Sequence, residues 1–415
     1  MKPPNGCEAT IYSLFHITLY CKTRARVQVT DVHTPNALPV LQKMATRRED
    51  DEDERRSPLN LIAGLVAASD TEITQVAISF GLLLIIALAL NLQWIAIRAP
   101  NPSVSVSVIM GGLALSTIST RLTFLIVSMA GFELLPYLES GDWVYNNDEN
   151  VRVITDGFLK TRPELCIAIL LFTLAVSLAL GAGVGYLISG PATRMRPTHF
   201  MIFMMPLAGL LHAAALSIPT LSGGRLGVYV PDVLSFYGGD RAPVLASMIL
   251  SVGAMVLVVS KHLLKSPFSK FMMEIRGDVV VSGRLESRVS RIRRDVIVFT
   301  SGLMAVAGAF LSFHYSFVVQ ANYVDTYWMY RSLLMVLIGG LGSYAGTFLG
   351  TFLVIALNQT IIVYKTTISR TLFFPIFYFE RLLLAVLTLV FLILRQKDHY
   401  KKYRSIPGIK GNRTR

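Results

Sequence analysis

From Ile73 onwards the chain alternates long apolar stretches with short polar ones. Ten apolar runs stand out: Ile73–Ile97, Ser103–Ser119, Leu122–Pro136, Glu164–Ser189, His199–Ser217, Ala242–Leu264, Val296–Val319, Ser332–Ala345, Gly346–Tyr364 and Pro375–Leu394. A run of about 17–25 apolar residues crosses a bilayer as a helix. Lipid offers no partner to backbone N–H and C=O groups, so helices are the expected element. The pattern predicts an all-α polytopic membrane protein with about ten transmembrane helices. Two pairs of runs are joined by very few residues, one across Arg121 and one across a glycine run. If each pair is one broken or re-entrant element, the count falls to eight.

The polar segments orient these spans. The loop Lys261–Arg294 carries nine Lys/Arg against three acids, the tail from Arg395 carries eight Lys/Arg, and "PATRMRPTH" carries Arg194 and Arg196. Basic loops stay on the cytoplasmic side. The loop Tyr137–Pro163 carries five acids and three bases and is expected outside. Ten spans with both termini cytoplasmic satisfy all four assignments, and so do eight if each joined pair is re-entrant.

Composition agrees with a membrane chain. Of 415 residues, 53% are hydrophobic and only 16% charged, where a soluble protein carries about 25%. Mean hydropathy is +0.54. The net charge of +13 resides in loops and at the C-terminus, which makes it a topology signal and not a nucleic-acid footprint. Cys7, Cys21 and Cys166 have no paired spacing, so neither a disulfide framework nor a metal site is inferred.

The chain divides into three parts. Residues 1–72 read as an N-terminal extension, expected to be disordered. Within it "MATRREDDEDERRSP" opens at Met44, which reads as an alternative start of translation, and Arg47–Arg56 mixes charges of both signs. Residues 73–395 form the transmembrane domain. Residues 396–415 are a basic cytoplasmic tail.

Two stretches carry candidate chemistry. The first is "SPFSKFMMEIRGDVVVSGRLESRVSRIRRD", Ser266–Asp295, within a cytoplasmic loop over residues 261–295. Compact bundles connect spans with only a few residues. This one reads as a short amphipathic helix, a turn, then a basic helix entering the next span. A topology anchor accounts for the charge but not for Phe268, Phe271 and Met272, whose apolar side chains gain nothing in water. A docking surface for a cytosolic partner is the functional reading, with Glu274, Arg276 and Asp278 beside the apolar face. The second stretch is "LIGGLGSYAGTFLGTF", Leu337–Phe352. Helices in lipid associate by close packing, and small residues let backbones approach. Gly342, Gly346 and Gly350 fall at spacing four, on one helix face. Gly339, Gly340 and Ser343 widen that surface and permit a break at membrane depth. A packing face and a transport-path element are both open.

"RSLLMVLIGGLGSYAGTFLGTFLV" resembles the late segment of LivM-type permeases, the membrane subunits of branched-chain amino acid ABC importers. The family reads there as a hydrophobic run, GGxGs, a short spacer and GxxxGa. Ser266, Pro267, Ile275, Arg276 and Asp278, then Phe299, Ser301, Ala307 and Gly308, resemble the family's cytoplasmic stretch and following span, with Gly277 inserted. "LSGGRLGV" (Leu221–Val228) is similar to an external TGGxxGL, Arg194–Arg196 to RLRG, and "IPGIKG" to a closing PxGLxG. The likeness covers roughly Ile73 to Gly411. The chain departs from it at "NLQW" (Asn91–Trp94), where the family's early GYxGLxxxGHxAFF pattern is missing, and at Pro197.

The resemblance implies a division of labour. This chain would be one of two permease subunits, paired with a second, LivH-like permease. Two cytosolic ATPases would dock on the loop and bind ATP and magnesium, and an extracytoplasmic solute-binding protein would deliver cargo. The chain has no GxxxxGKS/T motif and no catalytic or metal-spaced set, so it is read as a transport subunit without its own cofactor, metal or enzyme activity, in the plasma or inner membrane. His212, Asn358 and Gln359 are polar positions inside spans, where they are candidate pathway residues; a buried hydrogen bond between helices is the competing role. Arg121, Glu133, Arg331 and Glu380 fall near span ends. Three alternatives stay open: a same-superfamily permease for urea, short amides or simple sugars; a solitary secondary transporter or channel; and a membrane scaffold.

Overall fold

The computed structural model describes residues 7–13, 16–21, 26–29, 70–97, 104–129, 147–265, 279–323 and 325–363, with 382–383, 385–386 and 389–390. The chain divides into two units, residues 1–69 and 70–415. In the first, β1 (Cys7–Ser13), β2 (His16–Cys21) and β3 (Arg26–Val29) form an antiparallel meander. No element was expected there. Apolar residues alternate with polar ones at Ile17, Leu19, Val27 and Val29, which is the period of a strand.

The second unit is helical. Its centre is α1 (Asp70–Ile97). Every residue from Gly81 to Gln93 is buried, so its apolar surface extends all round, as a core helix requires. Beside it runs α2 (Val104–Leu113), buried along its whole length. A π-helical turn at Ala114–Ser119 carries α2 directly into α3 (Thr120–Met129). Next come α4 (Asn147–Gly157), α5 (Pro163–Arg194), α6 (Pro197–Ser217), α7 (Arg241–Lys265), α8 (Val279–Tyr315), α9 (Asp325–Gly339) and α10 (Tyr344–Val363). The peripheral helices bury one stripe only. On α5 it is Ile169, Thr173, Ser177, Gly181, Gly185 and Ile188, while Leu171, Leu178 and Leu187 are exposed. An apolar outer face is what contact with lipid demands.

The helices share two ends. At one, Ala96 and Ile97 of α1 cluster with Val106, Ile188, Ala192, Phe200 and Ile297, and a small apolar cavity joins Ile95 to Leu263, Leu264 and Val296. Arg194, Arg196, Lys261 and Lys265 lie beside these residues in the chain, so this is the basic end, which the positive-inside rule assigns to the cytoplasm. At the other end β4 (Val228–Tyr229) pairs with β5 (Phe317–Val318). There Arg241 donates to Asp232 Oδ2 and Ser316 Oγ, both at 2.6 Å, and Asn147 Nδ2 of α4 donates to the Tyr229 carbonyl at 2.7 Å.

This arrangement differs from the ten-span expectation. Among the described residues six helices are long and apolar enough to cross a membrane: Glu72–Ile97, Val104–Met129, Pro163–Arg194, Arg241–Lys265, Val289–Tyr315 and Tyr344–Ile362. Ile202–Ser217 and Trp328–Gly339 are shorter apolar helices. The runs expected on either side of Arg121 are one continuous helix. No Gly or Pro lies between Leu113 and Met129, and hydroxyls fold back along the helix: Thr117 onto the Leu113 carbonyl, Thr120 onto Leu115 at 2.8 Å and Thr123 onto Ser119 at 2.8 Å. An arginine does not interrupt such a helix. Merging the pair reverses α1. Its Ile97 end lies at the basic end, so its Asp70 end does not, contrary to the in-to-out direction that the ten-span scheme gave the first run. Residues 130–136 and most of Pro375–Leu394, with Glu133, Glu380 and the basic tail, lie outside the described residues.

Candidate functional site

The glycine run forms a helical hairpin. Helix α9 ends at Gly339, Gly340 and Gly342 take φ of +95° and +83°, and α10 begins at Tyr344. Only glycine adopts such angles without strain. Ser343 caps α10 through its side-chain oxygen, which accepts from the Gly346 N–H at 3.0 Å. Gly346 packs against the Gly339 carbonyl and Gly350 against that of Met335, so closely that a Cβ at either position would overlap the facing backbone. Gly339, Gly346 and Gly350 are therefore the packing face. Gly342, expected to stack with Gly346 and Gly350, instead lies in the turn before α10 starts. Its left-handed backbone removes it from the helical register.

A residue the sequence reading passed over holds this turn. Asn91 is buried on α1, and its side chain is fully engaged. Oδ1 accepts from the Gly342 N–H at 2.8 Å, and Nδ2 donates to the Ser343 carbonyl at 3.1 Å and to Thr347 Oγ1 at 2.9 Å. The signal was present, since an amide in the middle of an apolar 28-residue helix is costly unless satisfied. In the sequence "NLQW" stands out only as a departure from the family pattern. Two residues on, Gln93 is buried, and its Nε2 lies 3.5 Å from Ser301 Oγ on α8.

The pathway candidates do not form one constellation. Asn358 sits on α10 facing Arg331 of α9. With its amide oriented to oppose the guanidinium, Asn358 Oδ1 accepts from both terminal nitrogens of Arg331, at 2.7 and 2.9 Å. Arg331 was expected near a span end. It is buried within α9, with the chain continuing helically to Gly339. Gln359 is partly buried beside Asn358. His212 lies on α6, and its Nδ1 is buried with no hydrogen-bond partner among the described residues.

Helix α8 is packed by absent side chains. Gly308 lies on the Val108 carbonyl of α2, and Gly111 on the Ala305 carbonyl, each without room for a Cβ. Gly181 and Gly185 of α5 lie against Ser301, Gly302 and Ala305 in the same way. Gly112 leaves space for the Tyr323 ring, whose hydroxyl meets Ser312. Burial pushes the Tyr323 phenol well above its ordinary range, with the Ser312 hydrogen bond acting against that shift. At the far end from the basic residues, Gly223, Gly224 and Gly227 of "LSGGRLGV" all take positive φ. Ser116, in the π turn, donates to the Leu221 carbonyl at 3.2 Å and so joins that loop to α2.

Phe268, Phe271, Met272, Glu274, Arg276 and Asp278 lie outside the described residues. Their flanks are described. Helix α7 stops at Lys265 and α8 starts at Val279, ten residues ahead of its apolar span at Val289. Among the described residues no group of three His, Cys, Asp or Glu could hold a metal ion. The arrangement is a bundle with a polar-pinned hairpin, built to hold helices at fixed contacts.

The family described as branched-chain amino acid transport system / permease component matches residues 72–394. A curated relative, the probable branched-chain amino acid transport permease protein LivM of Methanocaldococcus jannaschii, is 24% identical over 304 residues, covering 73% of this chain and 85% of that protein. No solved structure matches the chain.

Proposed function

Because the chain belongs to the permease-component family of branched-chain amino acid transport systems, and is thus a multi-pass inner-membrane protein, we propose that it is a transmembrane subunit of an ABC importer for branched-chain or related amino acids. The observation that carries this reading is where the long connector leaves the bundle. Lys265 follows directly on Leu263 and Leu264, which line the small cavity at the basic end, so the apolar-faced segment Ser266–Asp278 departs on the cytoplasmic side. There it meets cytosolic ATPases, which bind ATP and magnesium. Phe268, Phe271 and Met272 supply the docking energy, and Glu274, Arg276 and Asp278 fix its register. A second, LivH-like permease completes the pathway, and an extracytoplasmic binding protein delivers solute to the opposite end. Solute moves by alternating access, with the α9–α10 hairpin carried as one unit pinned by Asn91.

The test pairs a pull-down with transport. Tagged protein taken from its native membranes in gentle detergent brings along an ATPase with a GxxxxGKS/T motif and a second permease. Phe271→Glu with Met272→Glu inserts normally but loses both the ATPase and the ATP-driven uptake of leucine into vesicles. A chain that purifies alone and transports without ATP overturns the importer; normal uptake by the double variant overturns the docking assignment.

A further inference from the structure

A group of arginines where α5 and α8 reach the basic end has no part in the function above. Arg294 of α8 lies 5.7 Å over the ring of Tyr186 on α5. Tyr186 is 59% exposed, on the face of α5 that also shows Leu187 at 72%. Arg293 is partly buried, and its Nε is buried with no hydrogen-bond partner among the described residues. Arg291, Arg194 and Arg196 are exposed nearby in the chain. Among the described residues the one ion pair of the group, Arg294 Nε to Asp295 Oδ1, is long at 3.8 Å and well exposed, too weak to fix a side chain.

The helix geometry gathers these groups. Helices α5 and α8 are antiparallel, with Gly185 against Ser301 and the Ile297 carbonyl. One turn from that contact towards the basic end brings Arg293 and Arg294 level with Tyr186. On α5, Tyr186, Gly190 and Arg194 follow at spacing four, on one face. Around Gly190, and around Gly183 two turns deeper, the position of a Cβ meets nothing within 4 Å. The face thus reads, from the bilayer outwards, as open apolar surface, an exposed aromatic ring under a guanidinium, then further arginines. The positive-inside rule accounts for the charge. It does not account for an unsatisfied buried Nε, or for an arginine held over an aromatic ring at the edge of an apolar face.

We propose that this face binds an anionic phospholipid, its phosphate held by Arg293 and Arg294 and its acyl chain lying along Leu187 and Gly183. Guanidinium groups pair with phosphate oxygens through two parallel N–H donors, and clusters of arginine on the cytoplasmic side attract anionic headgroups. The occupant must present an anion at the basic end and hydrocarbon along α5. A phospholipid does both, whereas free phosphate or an acidic protein segment supplies the anion alone. The proposal does not depend on which solute the permease carries.

The test uses the full chain in gentle detergent, titrated with phosphatidylglycerol or phosphatidylcholine, with thermal unfolding and native mass spectrometry as readouts. Phosphatidylglycerol is retained and raises the unfolding midpoint, and phosphatidylcholine does neither. Arg293→Gln with Arg294→Gln weakens phosphatidylglycerol binding by about 25-fold, roughly fivefold per arginine. Arg225→Gln, in the exposed loop at the opposite end, leaves it unchanged. Equal stabilisation by phosphatidylcholine, an equal midpoint shift from inorganic phosphate alone, or unchanged phosphatidylglycerol binding by the double variant would each overturn the proposal. So would loss of a bound protein partner from that variant with lipid retention intact. Should the double variant fail to fold, the comparison of the two lipids and phosphate on the unaltered chain decides.

Discussion

Two regions of the bundle are packed by the same residue and come to their contacts by opposite routes. In the α9–α10 hairpin, Gly339 meets Gly346, and Gly350 meets Met335, across a turn of four residues. Closing so short a loop costs little chain entropy, so the pair can form by itself. In the α2–α8 crossing, Gly111 and Gly308 lie nearly two hundred residues apart and meet only once the intervening helices are placed. The hairpin is locked from outside by Asn91 of α1. The crossing is locked by a backbone fit with no room for adjustment, beside the buried Tyr323–Ser312 contact. In lipid, small residues specify which helices touch. Here they specify one local pair and one global one.

Substitutions separate the two. Gly308→Leu is expected to be the most damaging, because its Cβ would occupy the Val108 carbonyl and neither central helix can yield; no monodisperse protein should be recovered by size-exclusion chromatography. Gly346→Leu should splay the hairpin but leave α1, α2, α5 and α8 assembled. Helix content by circular dichroism is retained, while the unfolding midpoint falls and uptake is lost. If the two variants behave alike, the distinction between local and global packing fails. Asn91→Leu leaves the Gly342 N–H without its acceptor, while the Ser343 carbonyl keeps Thr347, at a cost of about 1–3 kcal/mol, measurable by denaturant titration. Asn91→Asp should cost more at neutral pH, since a buried carboxylate faces the Ser343 carbonyl. It should recover in part at acidic pH, where a protonated carboxyl donates again. The smallest effect is expected outside both regions. Arg241→Gln breaks a partly exposed ion pair with Asp232, worth up to about 1 kcal/mol and less in high salt.

The same contrast explains what the sequence disclosed. The existence of spans was legible because length and apolarity are local properties. The hairpin was legible because its glycines are neighbours in the chain, although Gly342 was read as packing when it makes the turn. The fusion of the two runs around Arg121 was legible only as an alternative, because one cation looks like a boundary although no Gly or Pro breaks the helix there. The direction of α1 turns on that choice. Asn91 was passed over because its partners lie some 250 residues away. Arg331 looked terminal because the polar residues before it resemble a loop, whereas Asn358 across the hairpin meets its guanidinium.

The length of α8 carries a mechanical consequence. Its 37 residues span about 55 Å, from ten residues beyond the membrane segment at the basic end to the strand pair at the other. Along the way it touches α2 backbone to backbone at Gly111 and Gly308, and α5 through the short side chains of Ser301 and Ala305 against Gly185 and Gly181. One continuous helix thus joins Val279 at the basic end to Tyr315 beside the strand pair. Sliding of α8 against α2 is opposed by direct backbone contact, so any displacement within the bundle falls to the interfaces cushioned by larger side chains around it.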